Sequence, residues 1–256
     1  MDVKSVVKIL TKRGLKVEED TSVKNGIRLP VVRLVTGTNT CPIVYLEGYD
    51  DLSLEEACNL IERTFDEAMK VYPELSAEEI PDIFYIENIR AGVRKAGGED
   101  NIGAITKDFL DLEIYLYALH KMGTVTISEG IKEQTPLKDY TNDELFDIAL
   151  KNSFKEIRVS NLPFEGMILT NVNNFKGAVE ILDTEAISKI AEFYESDLWI
   201  IPSSLHEIMV VRAVEEAKDE MQEMIINVNK TLGPIDKLSD SLYFFSLKDG
   251  SVSIVK

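Results

Sequence analysis

Apolar residues recur at Val3, Val6, Val7 and Leu10, the spacing of one helix face, and Gly14 follows as a stop. The pattern predicts a short amphipathic helix at the start of the chain. The period then changes. Leu15 to Val23 and Ile27 to Val35 flank Asn25-Gly26, the dipeptide that supplies positive φ at both central positions of a tight hairpin turn, and Pro42 to Leu46 reads as a third strand. Ser53 and Glu56 form a capping box, after which Leu54, Ala57, Cys58, Ile61, Phe65, Ala68, Met69 and Tyr72 share one helical stripe.

Ile83 to Val93 fits helix or strand, and the glycines from Lys95 to Gly103 predict a loop. From Phe109 to Leu119 the alternation puts Leu110, Leu112, Ile114 and Leu116 on one face of a strand and Phe109, Asp111, Glu113, Tyr115 and Tyr117 on the other. Thr141 and Glu144 repeat the capping box before a helix carrying Leu145, Ile148 and Ala149. Beyond it the pattern reads strand (Met167 to Thr170), loop, strand (Gly177 to Leu182) and a helix through Ile187, Ile190, Ala191 and Tyr194. Leu198 to Ile201 and Ile208 to Val211 then form a hairpin, a helix carries Met221, Met224, Ile225 and Val228, and a last hairpin turns at Asp249-Gly250.

Strands that arrive as hairpins need antiparallel pairing, whereas a doubly wound parallel sheet needs single strands alternating with crossover helices. The expected fold is therefore α+β, with mostly antiparallel sheets packed against amphipathic helices. It divides into an N-terminal α+β region (1–158) and a C-terminal one (159–256), with one continuous domain as the alternative.

Charge changes this picture more than composition does. The chain of 256 residues has a formal charge of −17 and 45% hydrophobic residues, enough to build a core. The acids are uneven: Asp50 to Asp82 holds eleven acids against Arg63 and Lys70, while the first forty residues hold eight bases against four acids. Such acidity argues against a protein that binds nucleic acid directly by neutralising phosphates, and against acidic membranes as partners. Cys41 and Cys58 are too few for a disulfide framework and are not spaced as a C-x-x-C pair, and no run of about 18 apolar residues is present to span a bilayer. A cytoplasmic protein is expected.

The most concentrated chemistry lies in Pro202-Ser203-Ser204-Leu205-His206-Glu207, where hydroxyl, imidazole and carboxylate could supply nucleophile, base and orienter. The catalytic candidates are Ser203, Ser204, His206 and Glu207. Their closeness along one turn weighs against a triad, which draws on distant segments, and no G-x-S-x-G elbow accompanies them. Serines in such a loop satisfy backbone amides, so plain architecture is the simplest reading, and since loops on rigid hairpins carry recognition, binding by Thr170, Asn171, Ser203, Ser204, His206 and Glu207 ranks ahead of catalysis. Asp108, Asp111 and Glu113 invite a magnesium ion but read more simply as the solvated face of a strand. No Walker A loop or G-x-G-x-x-G turn is present, so neither cofactor nor metal is expected.

Leu169-Thr170-Asn171, Gly177-Ala178, Ile181-Leu182 and the string Ile201 to Glu207 together resemble a Firmicutes family, domain of unknown function 5688. Phe109 to Leu112 and Ala149 to Asn152 are similar to that family's central region, so the resemblance extends over residues 40 to 255. Arg94 to Asn101 departs from it, being Gly-rich where the family is Asn-rich. The resemblance implies an association with mobile elements and phages and carries over no catalytic residue. The leading expectation is a non-catalytic interaction protein that meets a partner with a basic surface. The alternatives are a nucleic-acid mimic that inhibits a host defence or regulatory protein, and a hydrolase using Ser203 or Ser204 with His206.

Overall fold

Asp2 opens helix α1 (Val3–Lys12) by accepting hydrogen bonds from the Lys4 and Ser5 amides, and Val6 and Leu10 on its inner face are buried. The computed structural model describes residues 1–37, 41–71, 80–99, 103–120, 123–163, 165–202, 204–233 and 235–255. Strands β1 (Val17–Lys24) and β2 (Ile27–Leu34) pair antiparallel about Asn25 and Gly26, whose φ angles of 50° and 72° are those the Asn-Gly turn requires. β3 (Ile43–Tyr45) pairs with the other edge of β2. Helix α2 (Leu54–Val71) starts at the expected capping box, with Ser53 N donating to Glu56 Oε2 at 3.0 Å. Its buried Cys58, Ile61 and Phe65 meet Val6, Leu10, Val32 and Val44 in an N-terminal core.

The remaining elements build two further sheets. A short helix α3 (Ile80–Ile83) leads into β4 (Ile89–Lys95), β5 (Thr106–Phe109), β6 (Leu112–His120) and β7 (Gly123–Thr126). β6 is the axis: β4 pairs along one edge, while β5 and β7 share the other. α4 (Glu129–Glu133) and α5 (Asn142–Phe154) follow, the latter with both halves of the Thr141–Glu144 capping box formed. Then come β8 (Ile157–Asn161), β9 (Gly166–Asn171), α6 (Thr184–Tyr194), β10 (Leu198–Ile201), β11 (Ile208–Arg212), α7 (Lys218–Asn229), β12 (Tyr243–Ser246) and β13 (Ser251–Ile254). The six C-terminal strands lie in the order β13-β12-β10-β11-β9-β8. Every strand pair among the described residues is antiparallel, so the fold is α+β.

The main core fills the space between these two sheets, with members on both sides of position 158: Ile89, Leu116, Leu145, Ala149, Leu169, Ile187, Ile200 and Phe245. β10 is buried along its whole length because it serves two cores. Leu198 and Ile200 face the main core, while Trp199 and Ile201 pack with Ile225 of α7 and Leu242. No helix among the described residues is long and apolar enough to cross a membrane.

Two local expectations change. Gly177 to Leu182 forms a 3-10 helix instead of a strand. A Cβ at Gly177 would lie 2.6 Å from the His206 carbonyl oxygen and 2.7 Å from Thr170 Cα, so the segment is held by close backbone approach to β9 and the 202–207 loop. The alternation from Phe109 to Leu119 belongs to two strands, with Leu110 at a φ of 56° in the turn between them. Leu110 is exposed, and Tyr115 and Tyr117 are buried because β6 is covered on both faces.

Candidate functional site

The site begins with Asn171 at the end of β9. Its Oδ1 accepts from the Asn173 and Phe175 amides, both at 3.1 Å, and its Nδ2 donates to the Phe175 carbonyl at 2.5 Å. One amide side chain therefore closes the 171–176 loop. Asn174 and Lys176 take left-handed φ angles of 50° and 58° there, so that Phe175 and Lys176 project from a fixed backbone.

The 202–207 loop lies against it. Thr170 Oγ1 donates to the His206 carbonyl at 2.7 Å, the Ala178 amide to the Leu205 carbonyl at 3.2 Å, and the Lys176 amide to His206 Nδ1 at 3.3 Å. An Nδ1 that accepts puts the proton of the neutral imidazole on Nε2, which faces Asp236 Oδ1 at 3.8 Å. Ser204 Oγ accepts from the His206 amide at 3.1 Å, so the hydroxyl shapes its own turn.

Tyr115 of β6 joins this loop pair to the central sheet. Lys176 Nζ donates to its hydroxyl at 2.6 Å and lies 4.8 Å from the ring centroid, and the Arg94 guanidinium lies 5.4 Å from the same centroid. Gly92 opposite makes room for the ring, since a Cβ there would lie 2.8 Å from the phenol Cζ. Glu113 holds Arg94 in place through a 2.7 Å ion pair.

The opposite wall comes from the N-terminal hairpin, where Lys24 Nζ sits 5.5 Å from the centre of the Tyr45 ring. Asn25 Nδ2 donates to the Lys237 carbonyl at 2.9 Å, and Glu99 N donates to the Gly26 carbonyl at 2.7 Å. Gly26 and Gly98 meet so closely that a Cβ on Gly98 would lie 2.5 Å from Gly26 Cα. Between these walls is a cavity of about 330 Å³, lined by Lys24, Tyr45, Arg94, Tyr115, Phe175, Lys176, His206 and Asp236 among others. A smaller cavity of about 230 Å³ shares Phe175 and Thr124 with it and is lined by Tyr117, Glu156 and Asn171.

Behind the loop, Glu180 is fully buried and neither carboxyl oxygen has a hydrogen-bond partner. Burial, and then the neighbouring Asp183 and Glu156, push its carboxyl up to about 8. Burial first, and then Tyr115, likewise raises the Tyr117 phenol. Glu156 is held by Arg90 at 2.7 Å.

Of the residues singled out from sequence, Thr170, Asn171, Ser204 and His206 come together at the two loops, Glu207 is half-buried away from the cavity wall, and Ser203 lies outside the described residues. Asp111 accepts from the hydroxyls of Ser239 at 2.6 Å, Ser241 at 2.9 Å and Tyr243. Among the described residues no group of three or more His, Cys, Asp or Glu could hold a metal ion. Sequence reasoning missed Lys24, Tyr45, Arg94, Tyr115, Phe175, Lys176 and Asp236, which come from separate segments. The one visible signal was Phe175, a large ring in a polar Asn-rich loop.

Residues 155–247 match a family of unknown function, DUF5688. The matched stretch holds both loops and Asp236, whereas the hairpin, Arg94 and Tyr115 lie outside it. No curated protein and no solved structure matches the chain.

Proposed function

We propose that this is a non-catalytic binding protein whose recognition site is the cleft between the β1–β2 hairpin and the loop pair, and that the cleft takes an anion. The observation that carries the reading is the gathering of Lys24 and Lys176, beside an Arg94 already paired with Glu113, around one cavity whose described lining holds one carboxylate, Asp236, in a chain of formal charge −17. Cations gathered around one concave surface attract an anion more strongly than the same charges dispersed over the molecule. The non-catalytic part is supported by the engagement of Ser204 Oγ and His206 Nδ1 with backbone amides, which leaves no hydroxyl-to-imidazole bond between these two residues.

Titration calorimetry with inorganic phosphate tests the reading. Binding is expected to weaken with added salt and to fall by about tenfold in Lys176→Met. A folded wild type that takes no phosphate and no organic phosphate overturns it. A serine-directed probe is expected to leave the protein unlabelled, and labelling at a serine of the 202–207 loop that is lost in His206→Ala would overturn the non-catalytic part.

A second reading is a contact between α2 and a protein with a basic surface, supported by the exposure of Glu55, Glu56, Asp66 and Glu67 along that helix. Its sharper form is mimicry of nucleic acid, tested by competition with DNA for a basic partner. Two cysteines outside any disulfide, Cys41 and Cys58, accord with a cytoplasmic setting. The Firmicutes mobile-element setting rests on the sequence resemblance alone.

A further inference from the structure

We infer that the anion taken by this cleft is carried on a flat aromatic or heteroaromatic ring, as in an aryl phosphate or a nucleoside monophosphate. The inference rests on the anion-binding reading and deepens it. Each wall sets a ring beside a cation: Lys24 Nζ is 5.5 Å from the Tyr45 centroid on one side, and Lys176 Nζ is 5.5 Å from the Phe175 centroid on the other. His206 extends the second ring surface, its centroid 5.6 Å from that of Phe175 and its plane inclined by 38°. A bare anion would use the ammonium groups of Lys24 and Lys176 and leave these rings wet, while a neutral ring would bring those two ammonium groups no anion.

The backbone beneath Phe175 supports the same conclusion. Phe175 is 40% exposed, so it adds little to any core. Yet Asn171 is spent on fixing its loop, and Asn174 and Lys176 hold left-handed φ angles of 50° and 58°, a conformation that asparagine takes readily and lysine does not. Strain that persists around an exposed ring and an adjacent ammonium pre-organises both for a ligand, because ordering them at the moment of binding would weaken the complex. The cavity of about 330 Å³ falls in the range of small-molecule sites and is too small for a folded partner.

The test is titration calorimetry of the full chain with four probes: inorganic phosphate, phenyl phosphate, adenosine 5′-monophosphate and phenol. At least one ring-bearing phosphate is expected to bind about tenfold more tightly than inorganic phosphate, a difference of about 1.4 kcal/mol. In Phe175→Ala the ratio of the two affinities, both measured on that variant, is expected to fall to about one, and in Phe175→Tyr it is expected to persist. Since Phe175 is half-exposed, both variants are expected to keep the wild-type circular dichroism. A gain for phenyl phosphate alone assigns the aryl source, and a gain for the nucleotide alone assigns the heteroaromatic one. Equal affinity for all three anions, phenol binding as tightly as phenyl phosphate, or an excess that survives Phe175→Ala overturns the inference and leaves anion binding standing. No binding of any probe overturns both.

Discussion

One methyl group at position 177 is enough to disturb the cleft. A Cβ there would press on the His206 carbonyl at 2.6 Å and Thr170 Cα at 2.7 Å, both backbone groups that cannot rotate away. Gly177→Ala is expected to destabilise by about 1–3 kcal/mol, read as a lower urea midpoint with unchanged slope. Asn171→Ala removes three hydrogen bonds and leaves two loop amides to water; a loss of about 1–3 kcal/mol is expected, together with weaker phosphate binding. Glu180 makes a pH prediction. Its raised carboxyl, caused first by burial, keeps a proton in the fold that the unfolded chain has already released above the ordinary carboxylate range. The folded state therefore holds more protons between that range and about pH 8, and stability falls as pH rises through the interval. Thermal melts should show wild type losing Tm relative to Glu180→Gln between acid and mildly alkaline buffer; a constant difference would count against the assignment. Asn171 and His206 could be singled out from sequence because small polar residues in loops announce themselves. Lys176 and Tyr115 could not, because a lysine in a loop and a tyrosine in a strand look alike whether or not they touch, and only the fold sets them 2.6 Å apart.

Local signals fixed elements wherever the chemistry was local. Asn25-Gly26, Ser53-Glu56 and Thr141-Glu144 each dictate a turn or a helix start through a few adjacent residues, and all three form as the pattern implies. The misread elements depend on distant partners. Gly177 to Leu182 has apolar residues enough for a strand, but its backbone amides turn to the 202–207 loop and to its own short helix. Tyr115 and Tyr117 are buried because β6 is covered on both faces, a fact of packing that strict alternation cannot reveal. The hairpin tip makes its own prediction. Gly98→Val would drive a side chain into Gly26 Cα, 2.5 Å from the position of the new Cβ, and push the hairpin wall outward. Phosphate binding is expected to drop several-fold, while the main core, built from other segments, keeps its circular dichroism; unchanged affinity would show that the hairpin wall contributes nothing.

At the scale of the molecule, an acidic protein carries a basic cleft. The formal charge of −17 repels anions at long range, whereas the ammonium groups of Lys24 and Lys176 attract them at short range. Salt screens both, and the two screenings oppose each other, so the rate of anion association is expected to change with ionic strength more weakly than for the same cations on a neutral protein. For α2 the opposite holds: Asp66→Asn with Glu67→Gln should weaken low-salt binding of a lysine-rich peptide, and equal binding would set that surface aside. The cleft's walls also stand far apart along the chain, for Asn25 is moored to Lys237 across 212 positions. During synthesis the hairpin can close once β2 has followed its two-residue turn out of the ribosome, and it then leans on α1, α2 and Glu99, yet its mooring to Lys237 and the Asp236 side of the cleft wait until residues 236 and 237 emerge. A ligand in the cleft would thus distinguish chains that have emerged past Lys237 from those that have not, sheltering the former from proteases while doing nothing for the latter.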